Sequence, residues 1–288
     1  MQKIIFSTNS SEHLSLDNGE IDINRFPDGE VRVVLSEDVA GREIVVIGST
    51  EPPAENFLEL SFTLHRIVAD GARKITVIIP YFGYSRGDRE AKAGEAVTAE
   101  AVSKMLVAVG GKNLEIIIID PHSPKISGFF DIPFKEISLT KDLASRFPER
   151  KDLTVVAPDS GALARAGRFA KACGIDGVVN VVKERLAPDR VKIKEIRGEV
   201  GTSAVIVDDM VQTGETILKV AKELKEAGAQ NISVAATHMV YCAGGWKRLA
   251  DSELIDRVVT TNTIKPLDDL PTKFELINIA SVLKEVVQ

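Results

Sequence analysis

The stretch Val205-Ile206-Val207-Asp208-Asp209-Met210-Val211-Gln212-Thr213-Gly214-Glu215-Thr216 joins a buried-looking strand to a helix through a polar turn. An apolar run ends in two adjacent carboxylates, a Thr/Gly turn follows, and a helical pattern begins at Thr216. Strand, loop and helix in this order are typical of α/β folds. Such a loop offers backbone N–H groups, hydroxyls and a helix N-terminus, which suit a phosphate monoester. The carboxylates could bind sugar hydroxyls or a metal ion carried by a polyphosphate.

The same stretch has a simpler interpretation, in which the Asp pair only caps the helix and forms the turn of a βα connection. Two carboxylates followed by Thr-Gly-x-Thr after an apolar strand favour a sugar-phosphate site over that alternative. The residues resemble the ribose 5-phosphate loop of phosphoribosyltransferase-type folds.

Composition limits the classes of function. The chain has 288 residues, 44% hydrophobic and 27% charged, as in ordinary globular proteins, and its net charge of -6 disfavours a nucleic-acid partner. No apolar run is long enough for a bilayer, and the apolar start is too short for a signal peptide, so we expect a cytoplasmic protein with no membrane partner. Cys173 and Cys242 form no CxxC pair, which leaves a disulfide framework and a zinc site unsupported.

Short apolar runs alternate with helical patterns, which predicts an α/β fold with mainly parallel sheets flanked by helices. The predicted strands are 44–47, 75–79, 115–119, 153–157, 177–182, 204–207, 232–236 and 258–260. The predicted helices are 56–69, 96–109, 139–147, 162–172, 215–227 and 279–287. A polar break at 147–152 predicts two domains of one plan, 1–147 and 148–288, with the last helix as a candidate for packing on the first domain.

Polar clusters follow several predicted strands, where open parallel sheets bind ligands. The loop 80–89 contains Arg86, whose guanidinium suits phosphate oxygens, although a packed loop with solvated arginines fits the pattern equally well. His122 follows another strand, and a single His beside Pro more often satisfies local hydrogen bonds than binds a metal. Asp159 precedes a helix and is either an N-cap or a carboxylate for a pyrophosphate and its Mg²⁺.

Two further clusters lie elsewhere in the chain. The charged connection 183–201 begins with Lys183-Glu184-Arg185. A run of charges usually means a solvated face, but a long polar loop can instead be a lid whose cations neutralise charge during phosphoryl transfer. The segment 25–30 is predicted to be a hairpin turn between 21–23 and 31–34. Neither a Walker A nor a GxGxxG sequence occurs, so ATP, if used, is held by other means.

Taken in order, these clusters resemble the ribose-phosphate diphosphokinases, the synthetases of 5-phosphoribosyl 1-pyrophosphate. The shortness of the chain is most similar to archaeal members. The resemblance covers nearly the whole chain, and its most specific parts are 26–30, 80–89, 120–133, 158–161, 183–185 and 207–216. It implies two tandem type I phosphoribosyltransferase-like domains, the first on the ATP side and the second on the ribose 5-phosphate side.

The resemblance also implies a role for each candidate residue. The residues implied for ribose 5-phosphate are Asp208 and Asp209 at its hydroxyls and Gln212, Thr213, Gly214 and Thr216 at its phosphate. The residues implied for ATP are Phe26, Asp28 and Glu30 at adenine, with Arg86 and Asp88. The implied metal ligands are His122 and Asp159, and the implied catalytic residues are Lys183, Arg185 and His122.

The implied reaction is in-line attack by the 1-hydroxyl of ribose 5-phosphate on the β-phosphorus of Mg·ATP. Its products are 5-phosphoribosyl 1-pyrophosphate and AMP, and its cofactor is Mg²⁺. Family members often share the adenine pocket between subunits, which implies at least a homodimer. Asp28, Gly87 and Gln212 depart from residues common in the family, and this leaves nucleotide preference and the details of phosphate binding open.

Two rival functions are weighed against this one. A phosphoribosyltransferase shares the loop 208–216 but needs only one such domain and no adenine pocket. A regulatory homologue without activity would be expected to lose a lid cation or a carboxylate of the phosphate site, yet Lys183, Arg185, His122 and Asp208 are all present.

Overall fold

The computed structural model describes residues 3–148, 152–187 and 190–287, without the side chains of 183–187 and 190–192. Two compact units make up the chain. The first comprises Met1–Ile137, Thr263–Lys265 and Asn278–Gln288, and the second comprises Ser138–Asn262 and Pro266–Ile277. Within the described ranges, no helix combines the length and apolar character that a bilayer crossing requires.

The secondary structure alternates between strands and helices along most of the chain. In chain order the elements are β1 (Ile4–Ser7), β2 (Ile21–Arg25), β3 (Val31–Leu35), β4 (Glu43–Ile47), α1 (Glu55–Ala69), β5 (Lys74–Ile79), α2 (Thr98–Gly110), β6 (Leu114–Ile119), β7 (Phe134–Ile137), α3 (Thr140–Ala144), β8 (Leu153–Ala157), α4 (Leu163–Ala172), β9 (Val179–Ala187), β10 (Arg190–Arg197), β11 (Ser203–Val211), α5 (Glu215–Glu226), β12 (Asn231–Met239), α6 (Gly245–Asp251), β13 (Arg257–Thr261), β14 (Phe274–Ile277) and α7 (Ala280–Val287).

The first unit is built on a parallel sheet in the order β1-β4-β5-β6-β7. Central parallel strands are covered on both faces, which explains why the isoleucines 116–119 of β6 are all buried. β2 and β3 form a separate antiparallel hairpin, as predicted. Ile21 and Leu35 of this hairpin pack against the core of the unit.

The second unit is built on a sheet in the order β10-β9-β8-β11-β12-β13-β14. Every neighbouring pair in it is parallel except β9 and β10. Successive residues of β11 enter different cores, because side chains alternate across a strand. Ala204 and Ile206 pack in one core, whereas Val205 and Val207 pack in the other. This double burial fixes the register of the strand that leads to the phosphate loop.

The predicted fold class, an α/β fold with mainly parallel sheets flanked by helices, is confirmed. The predicted strands correspond to β4, β5, β6, β8, β9, β11, β12 and β13. The predicted helices correspond to α1 to α5 and α7, and the largest difference is α3, which is shorter than the predicted 139–147.

The prediction that β11 ends before the two carboxylates is wrong. The strand continues through Asp208 and Asp209 to Val211, because β12 stays paired with it along this part. The carboxylates are therefore held by sheet hydrogen bonds instead of standing in a loop.

The prediction of a long charged loop at 183–201 is also wrong. β9 extends to Ala187 and pairs with the antiparallel strand β10, so that most of this segment is a hairpin. Ile193 and Ile196 of β10 pack against the core, and these two residues among charged neighbours are the signal that the run of charges obscured.

The strands that the sequence did not predict are β1, β7, β10 and β14, and all four lie at sheet edges. Edge strands have one unpaired side and need fewer apolar residues, which explains the weak patterns of β7, β10 and β14. β1 is buried at all four positions, and its run is short. Helix α6 was also missed, since it starts within a Gly-Gly pair.

The boundary between the two units follows Ile137, whereas the predicted break was at 147–152. The last segment, Asn278–Gln288, groups with the first unit.

Candidate functional site

The second unit holds a pair of carboxylates at the carboxyl edge of its sheet. The pairing of β11 with β8 ends at Ile206, whereas its pairing with β12 continues to Val211. Asp208 and Asp209 lie in this overhanging end of β11. Asp209 is buried, and the side chain of Asp208 is 22% exposed. One carboxylate is therefore accessible to a ligand while the other is fixed inside the protein.

Arg165 of α4 compensates the charge of this pair. Its Nη1 atom lies 3.4 Å from Oδ1 of Asp209 and 3.7 Å from Oδ1 of Asp208. Burial raises the pKa of Asp208 well above its usual range, the charge and hydrogen bonding of Asp209 raise it further, and Arg165 opposes the shift. Asp208 keeps its proton to a higher pH than an ordinary Asp. Such a carboxyl group can donate as well as accept hydrogen bonds, which suits a partner of sugar hydroxyls.

The loop after β11 has the features that the sequence predicted for a phosphate site. Gly214 has a φ of 72°, a conformation that glycine adopts readily, and α5 begins at the next residue. The hydroxyl of Thr213 accepts the N–H of Glu215 at 3.4 Å. Thr213 and Thr216 are exposed, so their hydroxyls lie at the start of α5 and are open to solvent. Hydroxyls, backbone N–H groups and the positive end of a helix favour an anion here.

Asp159 brings a third carboxylate to the same edge of the sheet. Its Oδ1 atom accepts the N–H groups of Gly161 at 3.0 Å and Ala162 at 3.2 Å, so Asp159 closes the turn before α4. The prediction of Asp159 as the N-cap is wrong, because Ala162 occupies that position. After burial and Asp209, the charge of Asp159 is a further cause that raises the pKa of Asp208. These three aspartates are therefore near one another. Among the described residues, no group of three or more His, Cys, Asp or Glu side chains is arranged to hold a metal ion.

The first unit presents the segment 26–30 at the tip of the β2–β3 hairpin. The Phe26 N–H donates to the Glu30 carbonyl, and the Gly29 N–H donates to the Phe26 carbonyl, each at 2.9 Å. Oδ1 of Asp28 accepts the N–H of Glu30 at 3.1 Å. Phe26 is 48% exposed, which is unusual for so apolar a side chain. The tip is a closed turn that carries an exposed aromatic ring and two carboxylates.

An ion pair links this hairpin to α1. Nη2 of Arg25 lies 3.1 Å from Oε1 of Glu59, and the side chain of Glu59 is only 2% exposed. Nδ2 of Asn9 donates to the same oxygen at 3.2 Å. Burial raises the pKa of Glu59, and its bond to Asn9 and the charge of Arg25 oppose the shift. The last residue of β2 is thereby attached to the body of the first unit.

The loop that carries Arg86 and Asp88 is held closely at its start. Oγ1 of Thr50 accepts the N–H of Gly83 at 2.8 Å. A Cβ on Gly83 would lie 2.4 Å from the carbonyl oxygen of Thr50, so the two backbones touch. Oγ1 of Thr98 donates to the carbonyl of Tyr84 at 3.0 Å. Arg86 is exposed and Asp88 is half-buried, and both extend from a fixed segment.

The remaining predicted residues stand in different parts of the chain. His122 is half-buried in the segment after β6 of the first unit. Lys183 and Arg185 belong to β9, where their backbones pair with Ile193 and Val191 of β10. The side chains of Lys183 and Arg185 lie outside the described residues, so the predicted role of these two cations stays a prediction.

Two arginines at the site were not predicted from the sequence. Arg165 is one of them, and its signal is a basic residue in the first turn of the helix that follows the Asp159 loop. Arg248 of α6 is the other, and its Nη1 atom donates to the carbonyl of Thr213 at 2.9 Å. No local pattern connects Arg248 to Thr213.

Comparison with known proteins adds family matches to this geometry. Residues 5–110 match the sequence model of the N-terminal domain of ribose phosphate pyrophosphokinase, and residues 170–288 match that of the phosphoribosyl synthetase-associated domain. The chain is 38% identical to the ribose-phosphate pyrophosphokinase of Ralstonia nicotianae, with 90% of this chain and 82% of that protein covered. It is 34% identical to the ribose-phosphate pyrophosphokinase of Thermosipho africanus, with 96% and 88% covered.

A solved structure agrees over the full length. The phosphoribosylpyrophosphate synthetase from Mycobacterium smegmatis matches with a TM-score of 0.89 and 26% sequence identity. The match covers 100% of this chain and 98% of that one.

Proposed function

This chain belongs to the ribose-phosphate pyrophosphokinase family, and from that premise we propose how its residues divide the work of the reaction. The enzyme transfers the diphosphate of ATP to the 1-hydroxyl of ribose 5-phosphate, which gives 5-phosphoribosyl 1-pyrophosphate and AMP. The observation that supports the assignment most is the continuity of the Asp208–Asp209 pair with the loop at the start of α5.

The sugar phosphate is assigned to the second unit. Asp208 and Asp209 bind the ribose hydroxyls, and the 5-phosphate lies in the loop of Gln212, Thr213, Gly214 and Thr216. The exposure of the side chains supports this assignment for Asp208 and the two threonines, which are accessible. Asp209 is buried against Arg165, so its part in binding the hydroxyls follows from the family resemblance alone. Holding the sugar by both ends orients its 1-hydroxyl, and positioning is the largest contribution a protein makes to such a transfer.

The nucleotide is assigned to the hairpin tip and to the loop after β5. Phe26 stacks on adenine, and Asp28 and Glu30 accept hydrogen bonds from the base. An exposed aromatic ring on the same turn as two carboxylates supports this assignment, since the base carries both an aromatic face and N–H donors. Arg86 and Asp88 contact the nucleotide from the loop after β5. The exposure of the hairpin tip suits a pocket completed by a second copy of the chain, so we propose at least a homodimer.

The transfer step is assigned to His122, Lys183 and Arg185. The 1-hydroxyl attacks the β-phosphorus in line and gives up its proton, the bond from that phosphorus to the α-phosphate oxygen breaks, and AMP leaves with that oxygen. Negative charge on the transferring diphosphate requires cations that are already in place, because reorganising solvent during the step would cost rate. Neutralisation by Lys183 and Arg185 is the proposed source of that stabilisation, and His122 contributes by ordering the phosphates as a neutral ligand of Mg²⁺.

Asp159 and His122 are the proposed protein ligands of Mg²⁺. A carboxylate at the sheet edge fits this ion, which prefers oxygen ligands and usually takes only one or two of them from protein beside substrate phosphates and water. When bound, the ion supplies positive charge to the polyphosphate.

Both cysteines are free thiols, which is consistent with the proposed residence in the reducing cytoplasm.

A product assay tests this function. The protein is given ribose 5-phosphate, ATP and Mg²⁺, and AMP and ADP are measured separately. We expect AMP in proportion to the ribose 5-phosphate consumed and no ADP. Production of ADP would instead indicate an ordinary kinase, and nucleotide binding without either product would indicate the regulatory homologue.

A further inference from the structure

Helix α6 lies directly behind the phosphate loop of the second unit. A Cβ placed on Gly245, the first residue of α6, would lie 1.6 Å from the carbonyl oxygen of Gln212. A Cβ on Gly214 would in turn lie 3.2 Å from the carbonyl oxygen of Gly245. The backbones of the loop and the helix are thus in direct contact, and only glycine fits at position 245 without displacing the loop.

Arg248 of the same helix reaches back to this loop. Its Nη1 atom donates to the carbonyl oxygens of Thr213 and Ala243, each at 2.9 Å. Ala243 and Gly244 have φ angles of 48° and 68°, so the chain makes a tight left-handed turn just before α6. One guanidinium nitrogen therefore joins this turn to the phosphate loop.

The helix itself is anchored at its other end. Leu249 is fully buried in the core of the second unit. Nζ of Lys273 donates to the carbonyl oxygens of Ala250 and Ser252, each at 2.7 Å, and so satisfies the C-terminal carbonyl groups of α6. The phosphate loop therefore packs on an element that is fixed by burial and by hydrogen bonds.

The direction of the loop carbonyls decides where its N–H groups point. The C=O and N–H of a trans peptide unit point in opposite directions. The carbonyls of Gln212 and Thr213 are directed at α6, so the N–H groups of the residues that follow each of them, Thr213 and Gly214, are directed away from it. Successive N–H groups on one side of a turn form an anion-binding concavity.

We propose that Arg248, together with Gly245, is a positioning residue for the 5-phosphate of the sugar. Arg248 acts from behind the loop: it holds the Thr213 carbonyl and thereby turns the next N–H toward the ligand. The role belongs to ground-state binding of ribose 5-phosphate, not to the transferring diphosphate. This inference rests on the proposed assignment of the loop to the sugar phosphate.

The first test compares Arg248→Met with Lys247→Met. Lys247 is the matched control, because it is a cation of the same helix whose Nζ pairs with Asp251 at 3.0 Å on the surface. We expect Arg248→Met to raise the KM for ribose 5-phosphate about tenfold, the equivalent of one charge-assisted hydrogen bond, with kcat and the KM for ATP changed by about twofold at most. Arg248→Lys should recover part of the affinity, since an ammonium can still donate to the carbonyl.

The second test uses the backbone contact and does not remove a charge. Gly245→Ala should raise the KM for ribose 5-phosphate by a similar factor, because its methyl group would displace the Gln212 carbonyl. Gly167→Ala in α4 is the matched control, since a Cβ there meets no atom within 4 Å. Binding of ribose 5-phosphate alone to the full chain is measured by calorimetry in all variants, beside steady-state kinetics and thermal melting.

The affinities for ribose 5-phosphate and ATP, together with the melting temperatures, distinguish the possible outcomes. A weaker affinity for ribose 5-phosphate in Arg248→Met and Gly245→Ala, with unchanged affinity for ATP, supports the proposal. Unchanged affinity for ribose 5-phosphate in both variants overturns it, and so does an equal rise of both KM values with a lower melting temperature, which is the signature of general destabilisation. The wild-type assay separates the two hypotheses: without AMP dependent on ribose 5-phosphate the function itself fails, whereas AMP formation with unchanged variant affinities overturns only the role of α6.

Discussion

Nη1 of Arg165 lies 3.4 Å from Oδ1 of Asp209, and the exposed fractions of the two side chains are only 14% and 4%. A guanidinium and a carboxylate are thus paired largely out of water at the edge of the proposed sugar site. The pair is separated by 44 residues in the chain and joins the first turn of α4 to the end of β11.

We expect Arg165→Met to weaken both the fold and the binding of the sugar. Asp209 would lose its cation while it stays buried, which typically costs about 1–3 kcal/mol of unfolding free energy. The KM for ribose 5-phosphate should rise about tenfold because the carboxylate pair would no longer be oriented. Urea unfolding and steady-state kinetics measure the two effects. Arg168→Met, on the exposed side of the same helix, is the control, and equal behaviour of the two variants would contradict the role of Arg165.

We expect Arg25→Met to raise the KM for ATP without changing the KM for ribose 5-phosphate. The Arg25–Glu59 pair attaches the hairpin that carries Phe26 to α1, and Glu59 without its cation is a poorly compensated buried charge. Unfolding free energy should fall by about 1–3 kcal/mol. Arg73→Met is the control, because its pair with Glu43 is exposed, and such pairs contribute at most about 1 kcal/mol. An unchanged KM for ATP in Arg25→Met would show that the hairpin does not need this attachment.

A buried carboxyl group of the first unit makes stability depend on pH. Burial raises the pKa of Glu51 to about 7, against the opposing effect of hydrogen bonds from its own backbone and from Ser49. The unfolded chain releases this proton first, at about pH 4.5, so the stabilisation is complete below that pH and is lost as the pH rises to about 7. The expected loss is about 3 kcal/mol, from a shift of about 2.5 pH units at 1.36 kcal/mol each.

The variant Glu51→Gln should remove this part of the pH dependence. At pH 8 the amide should be more stable than the wild type, because nothing then has to ionise in a buried place. Urea unfolding at pH 4.5, 6 and 8 measures the difference, and Glu20→Gln, at an exposed position, is the control. Parallel pH profiles of the wild type and Glu51→Gln would refute the prediction.

The sequence could predict the features of this fold that are contiguous in the chain. The central strands show continuous β-branched runs, and the phosphate loop lies within a single stretch of twelve letters, 205–216. The prediction was wrong where pairing with another strand determines how far an element extends. β11 continues through Asp208 and Asp209 because β12 pairs with it, and this contact is not visible in β11 itself.

The supporting residues of the site could not be predicted for the same reason. Arg248 and the carbonyl of Thr213 are 35 residues apart, and only the packing of α6 brings them together. The charged run after Lys183 concealed a hairpin, because the apolar Ile193 and Ile196 are few and separated by charges. Long-range pairing depends on register and edge position, and neither is written in a local pattern.

The two cations of this hairpin provide the most direct test of the transfer step. Lys183 and Arg185 stand at alternate positions of β9, opposite β10. Removing a group that stabilises charge mainly in the transition state lowers kcat, not affinity, and the loss is about 10²–10³-fold for one hydrogen-bond donor. We expect Lys183→Ala and Arg185→Ala to show that loss in AMP formation with little change in the Kd for ATP. Lys194→Ala, exposed on β10 of the same hairpin, should keep full activity. Full activity in both Lys183→Ala and Arg185→Ala would exclude the hairpin from the chemistry.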